Sequence, residues 1–222
     1  MKAAVIVFPG SNCDRDLAVA LEKTGADVEM VWHKDTALPK GIDLVAVPGG
    51  FSFGDYLRCG AIAANSPICG ELIAHVERGG YALGICNGFQ VLTETGLLPG
   101  ALRRNAGLKY ICKPIDLRVE TTDTAYTADY SEGQVITVPI AHHDGNYYVD
   151  ETKLAEISGE GRIAFRYLDN PNGSVADIAG VVSRNRRVLG MMPHPERMSE
   201  PSHGGTDGKA MFTSLMSQMA LV

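Results

Sequence analysis

No apolar run in this 222-residue sequence approaches the roughly 20 residues that a bilayer-spanning helix needs. The apolar stretch behind Lys2 ends after a few residues, too short for the core of a secretory signal, so a cytoplasmic setting is expected. Basic residues are in the minority, with 20 Lys and Arg against 26 Asp and Glu, for a net charge of −6. That balance offers no general attraction to phosphate backbones or anionic lipid, so neither nucleic acid nor membrane is an expected partner. Five cysteines form an odd set with no paired spacing, which suits a reducing compartment better than a disulfide framework. Metal-ligand spacings, internal repeats and low-complexity tracts are missing too, and no Pro/Gly/Ser-rich linker divides the chain. A single domain over residues 1–222 is therefore expected, large enough to hold a core without disulfide or metal.

What is present reads as alternating strands and helices. Residues 2–8 form the near-continuous apolar run of a strand buried on both faces. Pro9-Gly10-Ser11-Asn12 breaks it, and Ser11 or Asn12 is placed to cap a helix from Cys13 to Thr24, with Leu17, Ala18, Ala20 and Leu21 inward and Gly25 as its stop. Further strands are expected at 26–33 and 43–47, a helix at 68–78, and a strand running into Cys86. This βαβ rhythm predicts an α/β fold, a flavodoxin-like, doubly wound and mostly parallel sheet. Residues 97–140 switch to strand-like alternation, which predicts a small antiparallel excursion on the same domain. Strands at 164–168, 178–183 and 188–192 and an amphipathic helix at 208–221 complete the chain.

In such sheets ligands bind beyond the carboxyl ends of the strands. Three loops fall there: Pro9 to Asn12, Pro48-Gly-Gly-Phe-Ser-Phe-Gly54, and Gly84-Ile-Cys-Asn-Gly88. The second lacks the Gly-Lys-Ser/Thr ending of a nucleotide-binding loop, so nothing here predicts ATP binding. The third has the glycine spacing of a strand-to-helix elbow, with Cys86 at the apex and the positive end of the following helix favouring its thiolate. Such a nucleophile needs a base with a carboxylate behind it. Met192-Pro-His-Pro-Glu196 offers both, because each proline biases the residue before it to extended geometry and residues two apart on an extended chain share a side. Gly50 and Phe51 on one side and Asn87 on the other are placed to supply backbone N–H groups to an oxyanion. Gln90, one turn beyond Cys86, faces the same way. His142-His143-Asp144 is read as a core-facing histidine next to a polar loop, without metal.

Gly84-Ile-Cys-Asn-Gly-Phe-Gln90, Pro48-Gly-Gly-Phe-Ser-Phe-Gly-Asp55 and His194-Pro-Glu196 together resemble the class I, triad-type glutamine amidotransferases. Phe8-Pro-Gly-Ser-Asn-Cys-Asp14, Asp55-Tyr-Leu-Arg-Cys-Gly60, Arg104-Asn105 with Lys109-Tyr-Ile-Cys112, and Pro139-Ile-Ala-His142 extend the likeness over nearly the whole chain. They are similar to the subfamily of glutaminase subunits that serve phosphoribosylformylglycinamidine synthases in purine biosynthesis. The resemblance implies catalysis by Cys86, His194 and Glu196 through a γ-glutamyl thioester. It implies glutamine contacts at Gln90 and Asn105, and no cofactor on this chain. It also implies two partners, a large synthetase subunit that holds ATP and Mg and a small accessory subunit. Phe51, Phe53 and Tyr56 are expected at that interface if exposed, and Cys13, Cys59, Cys69 and Cys112 are read as packing residues. One departure is His143-Asp144-Gly145, where the family commonly has Gly-Glu-Gly. Two other readings stay open: a stand-alone cysteine hydrolase of flavodoxin-like fold, and an amidotransferase serving another acceptor.

Overall fold

The structure is a computed structural model that describes residues 1–220. Its strands are β1 (Lys2–Val7), β2 (Asp27–Trp32), β3 (Leu44–Val47), β4 (Tyr81–Ile85), β5 (Ala101–Arg103), β6 (Ile111–Val119), β7 (Val135–His142), β8 (Asn146–Tyr148), β9 (Ile163–Tyr167), β10 (Ile178–Val182) and β11 (Val188–Met191). Between them lie helices α1 (Asp14–Glu22), α2 (Ala61–Ala64), α3 (Pro67–Glu77), α4 (Asn87–Glu94), α5 (Glu151–Gly159) and α6 (Lys209–Met219).

Nine strands make one sheet in the order β2-β1-β3-β4-β11-β10-β9-β6-β7, and β5 pairs with β8 in a small antiparallel sheet. The first five are parallel to one another and follow the flavodoxin-like order, with β1 and β3 at the point where the winding reverses. β3 and β11 are buried at every residue and β4 at every residue after Tyr81, as strands covered on both faces must be. The remaining four strands are antiparallel, so much of the expected excursion lengthens the main sheet. This half curls back toward the centre: the His194 N–H, just beyond β11, donates to the Pro139 carbonyl on the far-edge strand β7 at 2.8 Å.

Three local readings need correction. The α1 cap is Cys13, with no side-chain hydrogen bond, because the Ser11 and Asn12 backbone is drawn into turns with Phe8 and Gly10. α5 is an element beyond those expected, with Asp150 as its cap accepting from the Lys153 N–H at 2.7 Å. Pro195 opens a 3₁₀ turn (Pro195–Met198), so Glu196 is not on an extended segment. The end expected for the last helix, at residue 221, lies outside the described residues.

α4 packs against β3, β4 and β11. A Cβ added to its Gly88 would stand 1.9 Å from the Val47 carbonyl oxygen, so the helix reaches the sheet only without a side chain there. Gly70, on the exposed side of α3, meets nothing within 4 Å. In urea denaturation, Gly70→Ala should gain about 0.5–1 kcal/mol from the stiffer helix backbone. Gly88→Ala should lose on the order of 1–3 kcal/mol from overpacking.

Candidate active site

Strand pairing brings the candidate residues together. In the parallel register of β4 and β11, Gly84 lies opposite Gly190 and Ile85 opposite Met191. Cys86 and His194 therefore leave neighbouring strands at the same end, although more than a hundred residues separate them in sequence. β3 ends there too, with Val47 opposite Gly84, and delivers Pro48-Gly49-Gly50 to the same place.

Cys86 is buried, with φ 54° and ψ −107°, and its N–H donates to the Met191 carbonyl at 2.7 Å. A non-glycine residue held there carries strain of about 1–3 kcal/mol, which persists only where the surroundings over-determine it. Its carbonyl accepts from the Phe89 and Gln90 N–H groups, tying the elbow to the first turn of α4. His194 is buried as well, and its Nδ1 lies 2.6 Å from Glu196 Oε1. Nε2 has no hydrogen-bond partner in this conformation, and Cys86 lies beside the ring across Gly49. Burial pulls the imidazole toward its neutral form, but the charges of Glu196 and Cys86 outweigh it and raise its pKa above the ordinary histidine range. The three predicted catalytic side chains are thus brought into one cluster.

Gly49 explains how they fit. A Cβ on it would stand 2.7 Å from His194 Cε1, 3.3 Å from Cys86 Cβ and 3.4 Å from Cys13 Sγ. Gly50, at φ 131°, would collide with Asn12 N at 2.6 Å. The loop after β1 and the loop after β3 interlock through these bare backbones.

Other expected roles change. The Phe51 N–H donates to the Gly10 carbonyl at 2.9 Å and is not free for an oxyanion, whereas Gly50 is not held by that bond. The Asn87 N–H, at the start of α4, has no intrahelical acceptor. Gln90 lies beside the elbow with both polar ends committed: Oε1 accepts from Asn87 Nδ2 at 2.8 Å, and Nε2 donates to the Asp144 carbonyl at 2.7 Å. Asn105 is wholly buried; its amide donates to the Lys109 and His142 carbonyls and its oxygen accepts from the Gly145 N–H. Neither amide is free to bind glutamine in this conformation. Both hold loops. His142 is core-facing as read, 3.1 Å from Asn105 Oδ1, and burial lowers its pKa to about 4. Phe53 packs on Phe8 and His33. Phe51, Tyr56 and Leu57 are exposed, joined across the mouth of the site by Tyr110, whose ring centroid is 6.3 Å from that of Phe51.

Cys13 is buried, as a packing residue is, and also meets charged groups at the site. Its Sγ, His194 and Glu196 offer ligand atoms within 4.8 Å of one another, and Arg197 Nη2 donates to it at 3.2 Å while also pairing with Asp16. The available signals were its place at the end of the first loop and Arg197 next to Glu196. Beside His194 lies a hollow of about 30 Å³, bounded in part by Asn12, Gly50, Phe51 and Arg197, room for one water. A hollow of about 470 Å³ over Tyr81 and Arg187 lies at the opposite ends of the strands.

The CobB/CobQ-like glutamine amidotransferase domain matches residues 1–209, a span that contains this whole cluster. The chain belongs to that amidotransferase family. Within it, the chain is 71% identical over 215 residues to a protein described as phosphoribosylformylglycinamidine synthase subunit PurQ from a Ruegeria species, covering 97% of each. A PurQ of Roseobacter denitrificans is 68% identical over the full length of both chains. Among solved structures, a chain in the structure of PurLQS from Thermotoga maritima superimposes with a TM-score of 0.90 at 44% identity, covering 98% of each chain. Another glutamine amidotransferase from Thermotoga maritima, at 13% identity and a TM-score of 0.66, shares the amidotransferase fold.

The loop between Phe53 and Gly60 lies over this family's nucleophile elbow and carries a titratable group of its own. Burial pushes Asp55 up to about 6, with Asp144 adding to the shift. Because the folded-state pKa is raised, the favourable contribution is full below the ordinary aspartate range and is lost as pH rises through about 6. Asp55→Asn should therefore raise the melting temperature at pH 8 and leave it little changed at pH 4. A pH-independent difference would show that the Asp55 charge is not the cause.

Proposed function

We propose that this chain is the glutaminase subunit of a phosphoribosylformylglycinamidine synthase, a single amidotransferase domain over residues 1–222. The observation that carries the reading is the Cys86–His194–Glu196 cluster, built by the β4–β11 register in a chain matched end to end by PurQ proteins. That likeness speaks against a stand-alone hydrolase and against another acceptor.

The Cys86 thiolate attacks the side-chain amide carbon of glutamine. The oxyanion is held by the N–H of Asn87 and, from the loop after β3, that of Gly50; Phe51 joins only if its peptide leaves Gly10. The imidazolium of His194 gives its proton to the amide nitrogen, the C–N bond breaks, and ammonia departs. Neutral His194 then takes a proton from water, hydroxide attacks the γ-glutamyl thioester, and glutamate leaves as the thiolate–imidazolium pair is restored. Glu196 holds Nδ1 throughout and stabilises the positive ring. Gln90 and Asn105 act as positioning residues for the elbow and the neighbouring loops.

Ammonia is consumed on another polypeptide. The large synthetase subunit, which we assign ATP and its magnesium, and the small accessory subunit are the partners, matching the PurLQS assembly in which the Thermotoga maritima chain is found. Among the described residues no helix is long and apolar enough to cross a membrane, and the free cysteines suit work in the cytoplasm. The hollow of about 30 Å³ beside His194 supports a site that widens to admit glutamine, a change that the partner's docking on Phe51, Tyr56 and Tyr110 would drive.

In the assembled complex, Cys86→Ala should abolish glutamine-dependent amidation and leave ammonia-dependent amidation intact; equal loss of both would defeat this division of labour. Glu196→Gln should keep the fold by circular dichroism and lose glutaminase turnover by about a hundredfold or more, as when a triad carboxylate is neutralised. The isolated subunit should hydrolyse glutamine poorly, and full activity without partners would show that the mouth opens unaided.

A further inference from the structure

One residue beside the catalytic pair is not used by the reaction. Cys13 Sγ, a ring nitrogen of His194 and a carboxylate oxygen of Glu196 all lie within 4.8 Å of one another, and all three residues are buried. They come from two loops, the turn before α1 and the 3₁₀ segment after β11, that meet over Gly49. Glu196 Oε2 is buried without a hydrogen-bond partner, and so is His194 Nε2. A buried carboxylate oxygen left with no donor is an expensive arrangement unless a cation or proton satisfies it.

We propose that Cys13, His194 and Glu196 form a binding site for a thiophilic divalent cation of the zinc type, and that its occupancy switches the glutaminase off. The donor set is one sulfur, one imidazole nitrogen and one carboxylate oxygen, the mixture that zinc accepts and that magnesium and calcium do not. Thiolate and carboxylate supply two negative charges to balance the ion. Zinc bonds of about 2.0–2.3 Å require the three atoms to close in by roughly an ångström. Rotation of the Cys13 side chain at the helix cap is the simplest route. The fourth position falls toward the hollow of about 30 Å³ that Cys13 and His194 both line, with room for one water ligand. Arg197 already sets a positive charge against Cys13 Sγ, and its double contact with Asp16 gives it somewhere to remain when the ion takes that place. Binding displaces the Cys13 thiol proton and the proton that His194 carries. The ring lone pair is then engaged, so His194 can neither protonate the leaving ammonia nor deprotonate water. Cys86 stays chemically free but has no base.

The inference rests on His194 as the catalytic base, so binding and activity are read separately. The full chain is used in a Cys112→Ser background, because Cys112 is the exposed thiol. Cd2+ is titrated while the ultraviolet charge-transfer band of the cadmium–thiolate bond is followed, and glutaminase activity of the assembled complex is measured against buffered Zn2+. Cys86→Ala should keep the band, while Cys13→Ala should lose it. Cys13→Ala should also retain metal-free glutaminase activity and need at least about tenfold more Zn2+ for half inhibition. Cys13→Ser, which keeps the volume and offers a poorer ligand, serves if the alanine variant folds badly, and it should fall between the two. A band that survives in Cys13→Ala and vanishes in Cys86→Ala would overturn the proposal, placing the ion on the nucleophile. Binding at Cys13 that leaves turnover unchanged would overturn the switch. If the glutaminase reading itself failed, the complex would show no turnover to inhibit, while the cadmium band would still report the site.

Discussion

The parallel pairing of β4 with β11 is the constraint on which the rest depends. It joins a strand from the middle of the chain to one near its end, and its register sets which residues leave the sheet together. A slip of one residue would turn every side chain of β11 to the opposite face and carry His194 away from the sulfur. Such a slip is resisted because β11 and all of β4 beyond Tyr81 are buried and the elbow is pinned by the hydrogen bond from the Cys86 N–H to Met191. The geometry of the nucleophile is therefore a property of the core, and the backbone strain at Cys86 is held by packing that extends well beyond the site.

The second half of the sheet serves the first. β6 to β10 supply none of the three catalytic side chains, yet β7 accepts the His194 N–H at Pro139, and the loop after it carries the Asp144 carbonyl that fixes Gln90. Asn105 fastens that loop through its contacts with His142 and Gly145. The antiparallel strands act as a brace that closes over the elbow from the opposite side to the glycine loops.

The sequence made much of this legible. Continuous apolar runs identified the central strands, and the glycines around Cys86 marked the elbow before any coordinates. The pairing of Cys86 with His194 followed from chemistry, since a nucleophile needs a base, and the fold supplied the distance. What stayed hidden was whatever depends on where loops cross. Gln90 was placed on the correct face of its helix, but helical periodicity does not show that Asn87 and Asp144 already hold its amide. Phe51 was read as a donor because its segment is flexible, yet the turn after β1 captures its N–H. Cys13 sits far from His194 in sequence, and only the missing side chain at Gly49 lets the two loops approach closely enough to matter. α5 carries little sequence signal because its buried face is narrow, with Ile157 alone fully covered.

The narrow hollow of about 30 Å³ beside His194 has a metabolic consequence. Amide nitrogen is costly for a cell to make, and ammonia released away from its acceptor is lost by diffusion. Under the docking-driven opening proposed above, the donor is hydrolysed only where the product has somewhere to go, which is a safeguard against idle turnover.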